Sequence, residues 1–318
     1  MRSRRKHHRH SQRSAFTRQY QKEARANQRK STFPKKSRPN LGIPAHAVIG
    51  NEGTSTLIQW LCNAALIALT LVSTLCWTQE KKSDSELLIA AAADLNPALN
   101  DIAQQFQNKT GIRIKLSFGA SGGLTQQIKN GAPFDIFFSA DMDYPRQLIA
   151  QGHADAASLI EYSLGKLVLW VPSNSPLDVE HKGSDVLLDP SVKKIAIANP
   201  QHAPYGRAAV AALRHAGLYE RLNDRFVLGE NVSQAAQFVE SGNAQVGFVA
   251  LAHALSPAIR NTGKFWMVPA DYYPALEQGV VILTRSAHKK EAAGFLEYLR
   301  TKDASDVLRK YGFTLPHN

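Results

Sequence analysis

Residues 194–218 read Lys-Ile-Ala-Ile-Ala, then Asn-Pro-Gln-His-Ala-Pro-Tyr-Gly, then Arg-Ala-Ala-Val-Ala-Ala-Leu-Arg-His-Ala-Gly-Leu. A branched apolar run, a loop punctuated by Pro200 and Pro204, and a segment with Val210, Leu213 and Leu218 at helical spacing make strand, loop and helix. The unit recurs three times. Residues 87–92 run into Ala-Asp-Leu-Asn-Pro (93–97) and a helix through Phe106, and residues 112–118 into Gly-Ala-Ser-Gly-Gly (119–123) and a helix through Lys129. Residues 225–228 lead into Gly-Glu-Asn-Val-Ser (229–233) and a helix through Val239. A loop that delivers the chain from a strand into a helix leaves the first N–H groups of that helix unpaired and aimed at one place. Four such starts suit a cleft that holds an oxyanion with neutral donors.

The remaining pattern has the same alternation. Residues 134–138 read as a strand and 145–151 as a helix; 165–171 form a strong strand followed by a loop rich in Pro, Ser and Asp. A second series begins at Ile195 and ends with a strand at 245–249 and its helix; 277–283 then return as a strand before closing helices at 294–300 and 304–309. Strands alternating with helices predict α/β architecture with mostly parallel sheets covered on both faces. The two series give two lobes, with crossings near 163–166 and 273–279. Two crossings make a hinge, and closure would bury a ligand between the lobes.

The formal charge of +12 points to nucleic acid until it is located. Residues 1–56 hold 14 of the 38 Lys and Arg and 2 of the 26 Asp and Glu, so the rest of the chain is formally neutral. No nucleic-acid partner is expected of the globular part. The basic leader, 1–56, has few large apolar residues and is expected to be disordered. Residues 57–77 carry no charge and are long enough to cross a bilayer of roughly 30 Å as a helix. Basic residues before that run favour a cytoplasmic amino terminus and an exported remainder. The run reads as a signal peptide or membrane anchor, with 78–85 as a tether. Cys62 and Cys76 both lie in it, so the globular part has no cysteine nucleophile and no Cys-based metal site.

Gly119-Ala-Ser121-Gly-Gly123 also satisfies G-x-S-x-G after a strand and before a helix, where a hydrolase nucleophile would stand. Its partner would have to be His202, His215, His253, His288 or His317, and none follows a recognisable context. Asp141 and Asp143 lack a third ligand at metal spacing and read as turn and cap residues. No cofactor, no free metal cation and no enzymatic activity are expected.

Several motifs in one order carry a resemblance. They are Ala-Ala-Ala-Asp-Leu (91–95), Phe-Gly-Ala-Ser-Gly (118–122), Gly-Ala-Pro-Phe-Asp-Ile-Phe-Phe-Ser-Ala-Asp (131–141), Asn-Pro-Gln-His-Ala-Pro-Tyr-Gly (199–206), Val-Gly-Phe-Val-Ala (246–250) and Lys-Tyr-Gly-Phe-Thr-Leu (310–315). Across residues 86–316 the chain resembles the molybdate-binding periplasmic proteins of ABC importers. The resemblance implies a type II periplasmic binding protein fold, with 86–164 and 279–318 as one lobe and 165–278 as the other. It implies a tetrahedral oxyanion held by hydroxyls and backbone N–H groups without counter-charges. Carried over, the contacts fall on Ala93 and Asp94, Ser121, Tyr205 and Val232, with Ser121 and Tyr205 offering hydroxyls and Val232 its backbone N–H. Asp94 departs from the family's Ser, Thr or Asn. An ionised carboxylate beside a dianion would cost several kcal/mol in a desolvated cleft. Either its side chain turns away as a helix N-cap while the main chain binds, the favoured expectation, or the ligand differs. The implied function is capture of molybdate, or tungstate, outside the cytoplasmic membrane by a monomer that delivers it to an ABC permease. A binding protein for another oxyanion such as sulfate is the alternative.

Overall fold

A computed structural model describes residues 86–316. The basic leader, the apolar run 57–77 with its two cysteines, the tether and His317 lie outside the described residues. The chain runs β1 (Glu86–Ala92), a 3-10 turn (Ala93–Leu95), α1 (Asn96–Thr110), β2 (Arg113–Gly119), α2 (Ser121–Lys129), β3 (Ile136–Ser139), α3 (Asp143–Ala150), β4 (Ile160–Gly165) and β5 (Leu167–Pro172). It continues through β6 (Ile195–Ala198), α4 (Pro204–His215), β7 (Phe226–Gly229), α5 (Val232–Glu240), β8 (Val246–Ala250), α6 (Leu251–Ala254), β9 (Gly263–Met267), β10 (Leu276–Ile282), α7 (Lys289–Leu299) and α8 (Lys302–Lys310).

Two five-stranded mixed sheets result, in the orders β2-β1-β3-β10-β4 and β7-β6-β8-β5-β9. In each, three strands pair parallel around the first of the series, a fourth strand runs antiparallel, and the edge strand points with the first three. The connections follow the same rule in both directions. Edge strand β4 passes through Lys166 into β5, the antiparallel strand of the other sheet, and edge strand β9 leads back to β10, the antiparallel strand of the first.

The strands are apolar on both faces because helices cover both. Leu87, Ile89, Ala91, Phe138 and Val280 pack with Leu99, Phe106 and Phe295 on one side of the first sheet. Ala90, Phe137 and Val281 meet Leu124, Ile128 and Leu148 on the other. In the second sheet Leu167, Leu169 and Val171 face α4, while Val168 and Trp170 face the α5 side.

The expected strand at 165–171 is the end of β4 joined to β5, with Lys166 as the crossing. Neither β4 nor β9 stands out in the sequence. Each is an edge strand paired along one side with part of its surface exposed, so its apolar pattern is diluted. The stretch expected as a loop after β5 contains short helical turns between Val179 and Leu188 that bury Val179, Val186 and Leu187.

Candidate functional site

The carboxyl ends of the parallel strands in open α/β sheets open onto a crevice where ligands bind. Here β1 ends at Ala92, β2 at Gly119, β6 at Ala198 and β7 at Gly229, and each feeds a helix. Ala93 opens the 3-10 turn ahead of α1, Ser121 opens α2, Tyr205 follows Pro204 at the start of α4, and Val232 opens α5. All five residues expected from the sequence, Ala93, Asp94, Ser121, Tyr205 and Val232, line one cavity of about 10 Å³. That is about the space one water needs and far below the roughly 300 Å³ at which sites for drug-sized molecules begin, so the cavity as it stands is nearly closed.

Local chemistry places each start. Pro204 at the first helical position needs no N–H partner and pre-sets the helical φ. A Cβ on Gly206 would lie 2.3 Å from the Ala198 carbonyl oxygen, so glycine lets α4 begin against the end of β6. Asn231 caps α5 by accepting the Gln234 N–H at 3.1 Å. The Ser121 hydroxyl accepts the Ala140 N–H at 3.0 Å, which leaves its own proton to donate. No lysine, arginine or histidine is among the lining residues. The wall is made of hydroxyls, helix-start N–H groups and small apolar side chains, a donor set for an anion and a poor one for a metal cation.

Asp94 is the exception, and its side chain is not the helix N-cap expected from the sequence. Leu95 stands at the cap of α1 and no side chain caps that helix. Asp94 is buried and its Oδ2 accepts the Gln278 Nε2–H at 2.5 Å. Gln278 in turn accepts at Oε1 from the Tyr162 hydroxyl at 2.8 Å and the Ser163 hydroxyl at 3.2 Å. The β10–β4 register shifts between Gln278 and Gly279, and such a bulge re-aims a side chain; Gln278 is fully buried. Burial pushes the Asp94 carboxyl up to about 6, against the opposing hydrogen bonds from Gln278 and Tyr205. Burial, then the Asp94 charge, holds the Tyr205 hydroxyl well above its ordinary range. Gly165 permits this cluster, since a Cβ there would come within 2.2 Å of the Tyr205 hydroxyl oxygen and 2.7 Å of Gln278 Nε2.

Contacts between the halves close over the cavity. Gly122 N–H donates to the His202 carbonyl at 2.9 Å, while the His202 side chain is exposed. Arg207 pairs with Asp141 and reaches the Tyr144 hydroxyl at 3.4 Å. Asp141 also accepts the Tyr144 N–H at 3.2 Å, the turn role expected of it. Ser233 donates to the Ala93 carbonyl at 3.2 Å and lies 2.7 Å from His253 Nε2. With its single proton on Ala93, Ser233 must accept from His253, so the ring is the Nε2–H tautomer. Its Nδ1 is buried without a partner. Protonating Nδ1 would bury an unpaired donor, and burial accordingly lowers the His253 pKa to about 4. Among the other described histidines that a Ser121 nucleophile would need, His215 stacks on Tyr272 and His288 precedes α7; none lines the cavity.

The model of the bacterial extracellular solute-binding protein family matches residues 87–314. The molybdate-binding protein ModA of Azotobacter vinelandii is 41% identical over 231 residues, spanning 73% of this chain and 90% of that protein. The molybdate-binding protein ModA of Rhodobacter capsulatus is 39% identical over 228 residues, 72% of this chain and 88% of that protein. Among solved structures, the A. vinelandii periplasmic molybdate-binding protein aligns with a TM-score of 0.69 at 38% identity, covering 73% of this chain and 100% of that one.

Proposed function

The chain belongs to the bacterial extracellular solute-binding protein family, and from that membership we propose that it captures molybdate between its two halves and delivers it to the permease of an ABC importer. The observation that carries this reading is the convergence of four helix starts on one small cavity whose lining includes no lysine or arginine. A dianion there is held by N–H and O–H dipoles, and the partial positive ends of the helices replace a counter-ion.

In this reading the two halves, 86–164 with 279–318 and 165–278, are lobes that hinge on the two sheet-to-sheet crossings. Ala93 and Asp94, Ser121, Tyr205 and Val232 are the contacts. Tungstate, of the same shape and charge, is taken as well. Sulfate is smaller, and since neutral donors do not distinguish equal charges, cleft size has to exclude it. The protein acts as a monomer and performs no chemistry. Residues 57–77 export it or hold it at the outer face of the cytoplasmic membrane, as the periplasmic A. vinelandii relative supports.

Calorimetry of the purified full-length protein with molybdate, tungstate, sulfate and phosphate tests the reading. Tight binding of the first two with weak binding of sulfate is expected. Binding of none, with an esterase activity lost in Ser121→Ala, would replace it with a hydrolase.

A further inference from the structure

The cavity contains one group that works against an anion. Asp94 is 1% exposed, lines the cavity, and has one carboxylate oxygen satisfied by Gln278. The other, Oδ1, is buried without a hydrogen-bond partner among the described residues. A buried ionised carboxylate needs a partner for each oxygen, and an unmatched one costs free energy. A carboxylic acid differs: one oxygen accepts while the other carries a proton to donate. The Asp94 environment supplies an acceptor role for Oδ2 and leaves Oδ1 without a partner on a residue that lines the cavity.

The surrounding groups supply no positive charge to hold Asp94 ionised. Tyr162 on β4 and Tyr205 on α4 face it, and burial keeps both hydroxyls protonated. Gln278 on β10 is neutral. Ser233 on α5 and His253 on α6 reach the same turn through the Ala93 carbonyl, and that ring is neutral above about pH 4. Arg207, which bridges the two halves, is engaged with Asp141 and Tyr144.

We propose that Asp94 receives the oxyanion as a neutral carboxylic acid, Oδ1–H donating to a ligand oxygen, so that each dianion captured brings one proton into the cleft. The step is an association with its proton from solvent: an ionised Asp94, a proton and a dianion give the protonated Asp94 with the dianion hydrogen-bonded to it. Nothing is oxidised or reduced, and the O–H bond formed is the single covalent change. The inference rests on the capture reading above. Burial alone brings the free carboxyl to about 6, and a neighbouring dianion raises it further. Near pH 5 the acid form is already present and capture needs no proton. Above pH 7 a proton must be taken up, and affinity falls by about tenfold per pH unit.

The test is calorimetry of the full-length protein with sodium molybdate at pH 8, in two buffers of different ionisation enthalpy, which gives protons taken up per anion bound. Wild type is expected to take up about one, with affinity falling by roughly fiftyfold to a hundredfold between pH 6.5 and 8.5. Asp94→Asn, which offers a neutral N–H donor, is expected to take up none, to lose the pH dependence, and to bind more tightly than wild type at pH 8.5. Molybdate binding by wild type without proton uptake would overturn the inference and leave capture standing. Uptake that persists in Asp94→Asn would place the proton elsewhere and also overturn it. Failure of both proteins to bind molybdate, tungstate or sulfate at any pH would overturn the capture reading and this inference together.

Discussion

Asp94, in the turn after β1, and His253, which reaches that turn through Ser233 and the Ala93 carbonyl, pull the pH dependence of stability in opposite directions. Asp94 has its folded pKa raised to about 6 from 3.8, so its contribution is greatest below pH 3.8 and is lost as pH rises through 6. His253 has its folded pKa lowered to about 4 from 6.5, so its contribution is present above pH 6.5 and is lost as pH falls through 4. Each shift corresponds to about 3 kcal/mol, and the two windows overlap, so wild type hides both. Urea denaturation separates them. Relative to wild type, Asp94→Asn gains about 2–3 kcal/mol between pH 4 and 7. His253→Gln, whose amide can still donate to Ser233, gains a comparable amount as pH falls from 6.5 to 4. A flat difference in either variant would refute the assignment for that residue. At this scale the sequence marked the loops by their turn chemistry and, through the family resemblance alone, Ala93, Asp94, Ser121, Tyr205 and Val232 within them. It was silent on Gln278, which lies 184 residues from Asp94 and acts through a bulge that has no local signature.

The helix starts are the elements that matter, and their loops are readable because Gly, Pro and Asn mark them. Gly206 permits contact with β6, Pro204 begins α4, and Asn231 caps α5. Asn231 also lines the cavity, so its cap bond holds the Val232 start in place. Asn231→Ala is expected to cost about 1 kcal/mol of stability in denaturant melts. It should also weaken molybdate binding by several fold, while Asn231→Asp keeps the cap and restores most of the stability. Loss of stability without loss of affinity would mean that the α5 start does not touch ligand. The edge strands β4 and β9 were illegible for the opposite reason. One-sided pairing and part exposure leave them no continuous apolar run, and their place is decided by the crossings they lead into.

At the scale of the molecule, one topology is used twice, and the two edge strands exchange the chain between sheets. Ala92, Ala93, Ala120 and Ala140 from the first half pack into the apolar cluster of the second, so the halves meet across small side chains around the cavity. The rim adds the Arg207–Asp141 pair, in which Arg207 is 43% and Asp141 14% exposed. Part exposure limits such a pair to at most about 1 kcal/mol. Arg207→Ala should therefore speed molybdate release by about threefold to fivefold in stopped-flow measurements and leave the association rate nearly unchanged. A slowed association with unchanged release would mean that Arg207 steers the anion and does not hold the halves together. The central claim is that uncharged donors at four helix starts enclose a doubly negative oxyanion. A crystal of the protein grown with molybdate and measured at the molybdenum absorption edge tests it most directly. The account predicts one anomalous peak in the cavity, with ligand oxygens within hydrogen-bond distance of the Ser121 hydroxyl and the helix starts at Ala93, Tyr205 and Val232. A peak on a lysine or arginine elsewhere, with none in the cavity, would contradict it.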